Sequence, residues 1–322
     1  MSATGRDGDS GNIVPFRRPQ PEVTEGDSWP LPALLLGARL KTLRGRRPQN
    51  SLAKKTGYSP TLYSRIEAGA VRIDKPEAIA LILKELGVPA GPEFDQLMSL
   101  ARDASVPGWA SSFRTAYRDA VPESMVRLSE LESRATSLYS VETAFVPGLL
   151  QSDAYRTAVT EWTLLPSQRR LAERVVELRT ERTRRFLAAK PPSSVFFLRE
   201  SVLRQVIGSR ELMVEQLELL LTYAETSRIG VRIIPMDLPL ALQVSSVTRL
   251  DFEDQLFAVP SVIYNEWAGR GDYYRGPLDG ETSSDEFRDF RFVIDTAARL
   301  APGREDSRRL ITEALKAHRS HL

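Results

Sequence analysis

The segment Asn50–Gly69, NSLAKKTGYSPTLYSRIEAG, decides the fold of the N-terminal part of the chain. Leu52 and Ala53 supply the apolar face of a short helix, and Gly57 can take the positive φ that lets the backbone leave it. Ser59 followed by Pro60 reads as an N-cap with proline at the first helical position, so a second helix starts at Pro60. Within it Tyr63 and Ile66 turn inward, which leaves Thr61, Leu62, Ser64 and Arg65 on or near the outer face. Gly69 stops it. Two short helices joined by a tight turn, the second displaying small polar groups beside an arginine, have the shape that the major groove of DNA accepts. In that setting Arg65 offers two donors to a guanine edge, Thr61 and Ser64 bond bases or phosphates, and Leu62 meets a thymine methyl.

Working outward, Leu36, Leu40 and Leu43 recur at helical spacing before the segment, and Ile79, Ile82, Leu83 and Leu86 do so after it. Gly57, Gly69 and Gly87 each follow such a run, where helices end. The pattern predicts an all-α helix-turn-helix domain of about five short helices over residues 30–104, with the reading helix at about residues 60–68. Residues 1–29, rich in Gly, Ser, Asp and Pro, read as a disordered tail. Ser105, Pro107 and Gly108 mark a boundary, and residues 110–322 read as a larger mixed α+β domain. Its helical stretches are expected at Ser124–Ser140, Gln151–Trp162, Ser167–Ala189, Glu211–Tyr223, Asp285–Leu300 and Ser307–His318. Its strands are expected at Ser194–Leu198, Ile229–Pro235, Val244–Phe252 and Ser261–Trp267.

Charge separates the two parts. Residues 31–102 hold twelve Lys and Arg against six acids, a local balance of +6 in a chain of net charge +2. Between Leu31 and Ile73, Arg39, Lys41, Arg44, Arg46, Arg47, Lys54, Lys55, Arg65 and Arg72 face only Glu67, which is the footprint of a polyanion-binding surface. Lys54, Lys55 and Arg72 beside the reading helix are expected to hold phosphates and fix register. The 322 residues contain no cysteine and two histidines, His318 and His321, so thiolate chemistry is excluded and the usual general base is scarce. Glu200, Glu215 and Glu266 are scattered carboxylates with no metal-ligand spacing around them. The expectations are therefore no catalytic residue, no metal, no cofactor and no enzyme. No apolar run is long enough to span a membrane and Met1–Asp9 has no signal-peptide pattern, so a cytoplasmic protein is expected.

The segment resembles the phage-repressor-like (XRE-type) helix-turn-helix regulators, whose pattern runs roughly LA..TG.s...iS.iE.G. Leu52, Ala53, Thr56, Gly57, Ser59, Ser64, Ile66, Glu67 and Gly69 agree with it. The resemblance implies that Gln49, at the entrance to the first helix of the motif, contacts DNA backbone or bases. It likewise makes Thr61, Ser64 and Arg65 the reading surface, and Glu67 a structural residue paired with an arginine of the preceding helix, for which Arg44 is the candidate. The turn Gly45–Pro48 is shorter than usual, and Pro48 stands where a serine or threonine cap is common. The second domain resembles the C-terminal domain of the WhiJ-like, antitoxin-like transcriptional regulators of filamentous actinobacteria. The residues that carry this are VPGLLQSDAYRTAV (Val146–Val159), Arg179, Glu181, Arg182 and Arg185, LRESVLRQVIGSRELMVEQLELLL (Leu198–Leu221), and VRIIP (Val231–Pro235). It implies a regulator with a small protein partner encoded nearby.

Three groups in the second domain invite a site, and each has a plainer reading. Gln151 and Tyr155 follow the Pro147–Gly148 turn on one helix face, where a packed turn suffices. Arg179, Arg182 and Arg185 form a stripe that could take an anion, but Glu173, Glu177 and Glu181 lie within helical reach, so a salt-bridged solvent face is the expectation. Trp267, Tyr273 and Tyr274 with Arg270 and Arg275 suit a protein interface or a partly covered loop. The leading functional expectation is a sequence-specific regulator that binds double-stranded DNA as a homodimer. The alternative is an antitoxin-like partner-binding protein whose DNA binding is mainly autoregulatory.

Overall fold

The computed structural model describes residues 31–71, 73–106, 109–110, 122–164, 166–188, 190–238, 244–253, 259–267, 270–277 and 281–322. The expected tail over residues 1–29 and the phosphate candidate Arg72 lie outside the described residues. Five helices form the N-terminal part: α1 (Leu31–Arg44), α2 (Gln49–Thr56), α3 (Pro60–Glu67), α4 (Pro76–Leu86) and α5 (Pro92–Asp103). Their apolar faces meet in one core of Leu36, Leu40, Leu52, Tyr63, Ile82 and Leu97, among others.

Helix α1 belongs to two cores at once. Leu36 and Leu40 enter the core just described, whereas Leu31 and Leu34 join the main core of the larger domain, and Leu35 packs against both. The segment LPALLLGA is apolar on all sides, which is the pattern of a helix covered all round. The sequence reading used only its Leu36, Leu40 and Leu43 face.

The larger domain is a mixed α/β structure: α6 (Glu123–Glu132), β1 (Ser137–Glu142), α7 (Asp153–Thr163), α8 (Ala172–Phe186), β2 (Ser193–Arg199), α9 (Ser201–Arg204), α10 (Arg210–Glu225), β3 (Ile229–Ile234), β4 (Ser246–Asp251), β5 (Val262–Trp267), β6 (Arg270–Arg275), α11 (Asp285–Leu300) and α12 (Arg304–Arg319). The sheet has six strands in the order β3-β2-β1-β4-β5-β6. Strands β1, β2 and β3 are parallel, joined by crossovers through α7 and α8 and then α9 and α10, while β4, β5 and β6 add an antiparallel meander. One face carries Leu138, Phe196, Leu198, Val231, Leu250 and Val262 toward α10 and α12. The other carries Val141, Phe197, Val247 and Ile263 toward Phe287, Ile294 and Ala297 of α11.

Two strands depart from the sequence reading. The helix expected over Ser124–Ser140 ends at Glu132, and Ser137–Glu142 is the central strand β1. The aromatic and arginine residues after the expected last strand form strand β6, with Tyr273 and Tyr274 buried on opposite faces, while Trp267 ends β5 and is exposed. Ser140 and Glu142 in β1 are polar where alternation should show apolar residues, and β6 places two aromatic residues side by side among polar and small ones, so the period-two signal is broken in both.

Candidate nucleic-acid interface

The geometry around α3 is fixed at its two ends. At its start, the Ser59 hydroxyl accepts a hydrogen bond from the Leu62 backbone N–H at 3.1 Å, and Pro60 occupies the first turn. At its end, Gly69 turns the chain with φ +66°. The helix crosses α1 so closely that a Cβ on Gly37 would lie 2.6 Å from the Glu67 carbonyl oxygen, and one on Gly69 would lie 2.6 Å from the Leu34 Cα. Only glycine permits that approach.

A polar clamp closes the other side. The Glu67 carboxylate is buried and accepts from Arg44 Nε on Oε1 at 2.6 Å and from Gln49 Nε2 on Oε2 at 2.6 Å. The Arg44 guanidinium also donates to the carbonyls of Gly45 at 3.0 Å and Arg47 at 2.8 Å. One ion pair thus joins the end of α1, the turn, the start of α2 and the end of α3. It does the work of the missing cap: Pro48 makes no side-chain cap bond, Gly45 takes φ +56°, and arginine satisfies the turn carbonyls instead. The bond to Glu67 holds the Arg44 pKa above its ordinary value against the opposing cost of burial. Burial, reinforced by the Glu67 charge, pushes the Tyr63 phenol far up.

Thr61 and Ser64 are exposed on α3, as are Ser59 and Lys54 and Lys55 of α2. Leu62 is half-buried against the helical core, which leaves part of its side chain for an outside contact. Arg65 is half-buried, and its Nη2 reaches the Ala70 carbonyl at 3.5 Å. Gln49 is half-buried and directed at Glu67, so one of its amide hydrogens serves the clamp. Several expected phosphate ligands are matched by acids from other helices: Arg39 by Glu93 at 2.5 Å, Lys55 by Glu85 at 3.0 Å and Lys41 by Glu281 of the larger domain at 2.6 Å. Arg46 and Lys54 are exposed and make no ion pair among the described residues. The cationic surface is therefore narrower than the sequence count, because acids distant in sequence fold back onto it.

A family model described as a helix-turn-helix domain matches residues 35–97, and one described as a domain of unknown function (DUF5753) matches residues 125–313, more than half of the chain. The chain belongs to the DUF5753 family. Its N-terminal part is a helix-turn-helix domain of the DNA-binding type. No curated protein and no solved structure matches the chain. Among the described residues no helix is long and apolar enough to cross a membrane.

Within the DUF5753 domain the arginine stripe of α8 does not lie on a solvent face. Arg182 turns inward and forms a two-pronged pair with Glu132 of α6, at 2.5 and 2.7 Å. Arg179 donates from Nη1 to the buried Thr160 hydroxyl of α7 at 3.0 Å. Only Arg185 behaves as expected of a surface residue, sharing Glu181 with Arg184 and stacking on Trp109 at 4.4 Å. Positions 175, 178, 179, 182 and 186 share one helical face with Val175, Leu178 and Phe186 in the core, so Arg179 and Arg182 point toward the protein and are half-buried at its edge. The Pro147–Gly148 turn is held by Gln151, which donates to the Val146 carbonyl at 2.8 Å, and by Gln216, which bridges the Leu150 carbonyl and the Ser152 N–H. Tyr155 is fully buried beneath it.

Proposed function

We propose that this chain is a sequence-specific, DNA-binding transcriptional regulator acting in the cytoplasm, with α3 in the major groove and the DUF5753 domain sensing a ligand or a small partner protein. The observation that carries the reading is the rigid presentation of α3. It is clamped at Glu67 and pressed against α1 at Gly37, and it leaves Thr61 and Ser64 exposed beside Lys54 and Arg46, which make no ion pair among the described residues. Such a helix can enter the major groove without reorganising, which lowers the entropic cost of recognition. Arg65 reads a base by turning from its partners in the free chain, the Ala70 carbonyl among them, to the groove. Ser59 and Gln49, at the N-termini of α3 and α2, meet phosphates, and Lys54, Lys55 and Arg72 neutralise them. A homodimer would read a palindrome with two such helices.

The test is fluorescence anisotropy on the chain's own upstream DNA against a scrambled duplex, across a salt series. Arg65→Ala is expected to lose about 1–3 kcal/mol on the specific site and little on the scrambled one, whereas Lys54→Ala weakens both and lowers the salt slope by about 1. Equal binding to both duplexes by the wild type, with Arg65→Ala unchanged, overturns the reading. The antitoxin-like alternative, in which a partner protein is the main target and DNA binding is autoregulatory, draws on the resemblance of Val146–Val159 and Leu198–Leu221 to that group. A purified partner that binds the chain but leaves operator affinity untouched would favour it.

A further inference from the structure

Helix α11 packs on the sheet through Phe287, Ile294 and Ala297, and its opposite side is turned away from the protein. The stripe along that side is Asp285, Arg288, Phe292, Asp295 and Arg299. Steps of three, four, three and four residues are those of a coiled-coil seam, which keeps one line of side chains pointing the same way over two heptads. Asp285, Arg288 and Arg299 are exposed and Asp295 is half-exposed, as befits a solvated helix face. The residue at the centre does not fit such a face. Phe292 is 64% exposed, and the Arg299 guanidinium stands 5.9 Å from its ring centroid. A large aromatic side chain in the middle of a heptad seam is what an interface places there.

The order of charges says what covers the seam. From N- to C-terminus the stripe is negative, positive, phenylalanine, negative, positive. Turned end for end it reads positive, negative, phenylalanine, positive, negative, so every charge meets its opposite on a copy of itself. With a two-fold axis at Phe292, Asp285 faces the second copy's Arg299, Arg288 faces Asp295 to within one residue on one flank, and the two rings meet. On the other flank Asp289 comes to Thr296, so it opposes no carboxylate. A parallel pair fails the same test, because it sets aspartate on aspartate and arginine on arginine at each charged level. The present partners of these groups are weak competitors. Asp285 pairs with Arg288, Asp295 with Arg291 at 3.5 Å and with Arg249 at 3.8 Å, and Arg299 donates to the Thr296 hydroxyl at 2.9 Å. Pairs along an exposed helix are readily exchanged for others of similar strength.

We propose that the outward stripe of α11 binds a second copy of this chain as an antiparallel helix pair, with the two-fold axis passing at Phe292. The inference gives the homodimer of the regulator reading its surface, and it rests on that reading only for the consequence at DNA. Glu281, four residues before Asp285, holds Lys41 of α1. The antiparallel pair therefore sends its two α1 helices off from opposite ends, with the two Asp285 positions about 21 Å apart along the axis at the helical rise of 1.5 Å per residue. That is the two-fold disposition a palindromic operator demands. Two helices of 16 residues make a small interface, so the free chain should associate in the micromolar range.

The experiment is sedimentation velocity on the full chain over about 1–200 µM, a range in which wild type should pass from monomer to dimer. Phe292→Glu should weaken the dimer at least about a hundredfold, because it puts two like charges where two rings met. It should melt as wild type does at concentrations where both are monomeric, since the ring is exposed in the single chain. Arg299→Asp sets aspartate against Asp285 twice over and should weaken the dimer about tenfold. The double variant Asp285→Arg with Arg299→Asp should recover most of that loss, which only the antiparallel register allows. A wild type that stays monomeric overturns the proposal, as does a dimer that Phe292→Glu leaves intact, and so does a double variant no tighter than Arg299→Asp. Operator anisotropy on the same proteins separates the readings. Phe292→Glu should bind an isolated half-site as wild type does and lose the preference for the whole palindrome. Dimers through α11 without specific DNA binding sink the regulator and leave the surface, whereas specific DNA binding that Phe292→Glu leaves unchanged on the palindrome sinks the surface alone.

Discussion

Replacing Glu67 with alanine should unfasten the helix-turn-helix at three points together. The Glu67 side chain keeps 2% of its surface exposed and its partner Arg44 13%, so removal strands a nearly buried guanidinium and the Gln49 amide. Two hydrogen bonds to a charged acceptor at about 1.5–3 kcal/mol each put the loss at roughly 3–6 kcal/mol, and buried pairs broken from one side give about 3–5 kcal/mol. Arg44 retains its bonds to the Gly45 and Arg47 carbonyls, which favours the lower part of that range, about 3–4 kcal/mol. The expected cost of replacing both partners, Arg44→Met with Glu67→Leu, is smaller than that of Glu67→Ala alone, since no charge is left uncompensated. Amide hydrogen exchange resolved to α2 and α3 is the suitable assay, because a chain of two domains need not unfold in one step. Protection of α2 and α3 should fall by two to three orders of magnitude, in line with about 1.4 kcal/mol per tenfold, with operator affinity falling in parallel. If Glu67→Ala costs less than about 1 kcal/mol and exchange in α3 is unchanged, the apolar core alone positions the reading helix and the clamp carries no weight.

Three further outcomes are expected. Gly37→Ala places a Cβ against the Ile66 and Glu67 carbonyls, neither of which can yield, so it should cost at least about 2 kcal/mol and weaken all DNA equally. Gly45→Ala, where a Cβ meets nothing but φ is +56°, should cost only about 1 kcal/mol, and urea denaturation that ranks the two the other way removes the steric explanation. Glu142 is held up to about 8 by burial from an ordinary 4.5, so the folded state binds the extra proton between those values. Its contribution is then full below about pH 4.5 and is lost as pH rises through about 8, a fall on the order of a few kcal/mol. Glu142→Gln should flatten that part of the stability profile, and melting curves whose pH slope is unchanged by the substitution would contradict the assignment.

What the sequence revealed, and what it hid, divides along a physical line. The helix-turn-helix was legible because its signals are local. Ser59 and Pro60 start a helix and Gly57 and Gly69 stop two others, each by the backbone chemistry of a single residue. The central strand SLYSVE was not legible, because its inward positions Ser140 and Glu142 are polar and buried, so alternation pointed nowhere. Strand β6 failed for a related reason, with Gly271 inward at the same end of the sheet. The α8 arginines were misplaced because charges at helical spacing beside acids normally face water. Their register with Val175, Leu178 and Phe186 was present in the sequence and pointed inward. The failures converge on one region, the carboxyl end of β1, and a place where ordinary patterning breaks without loss of fold is where a functional constraint is expected.

Among the described residues the two parts meet at α1, at Ala70 just after α3, which also lies in the large-domain core, and at one ion pair. Helix α1 presents Leu31 and Leu34 to the large-domain core, Leu36 and Leu40 to the other, and Gly37 to the back of α3. Because the Gly37 contact is backbone against backbone, α1 cannot slide along α3 without a clash, so a displacement imposed at Leu31 must move α3 or unfold the contact. The second tie is ionic: Glu281 holds Lys41 of α1 and Arg275 at the end of β6, the strand that carries Tyr273 and Gly271. Tyr273 in turn donates to the Ser124 carbonyl of α6, and Glu132 of the same helix holds Arg182. A ligand or partner of the kind proposed above would act on α3 through these ties. Coupling to DNA then requires only that the ligand favour one of two positions of α1 over the other by the usual 1–3 kcal/mol of an allosteric linkage. Shortening Leu31 and Leu34 to alanine should cut that linkage while leaving DNA binding intact, and equal loss of both would show that α1 is a structural strut and not a lever.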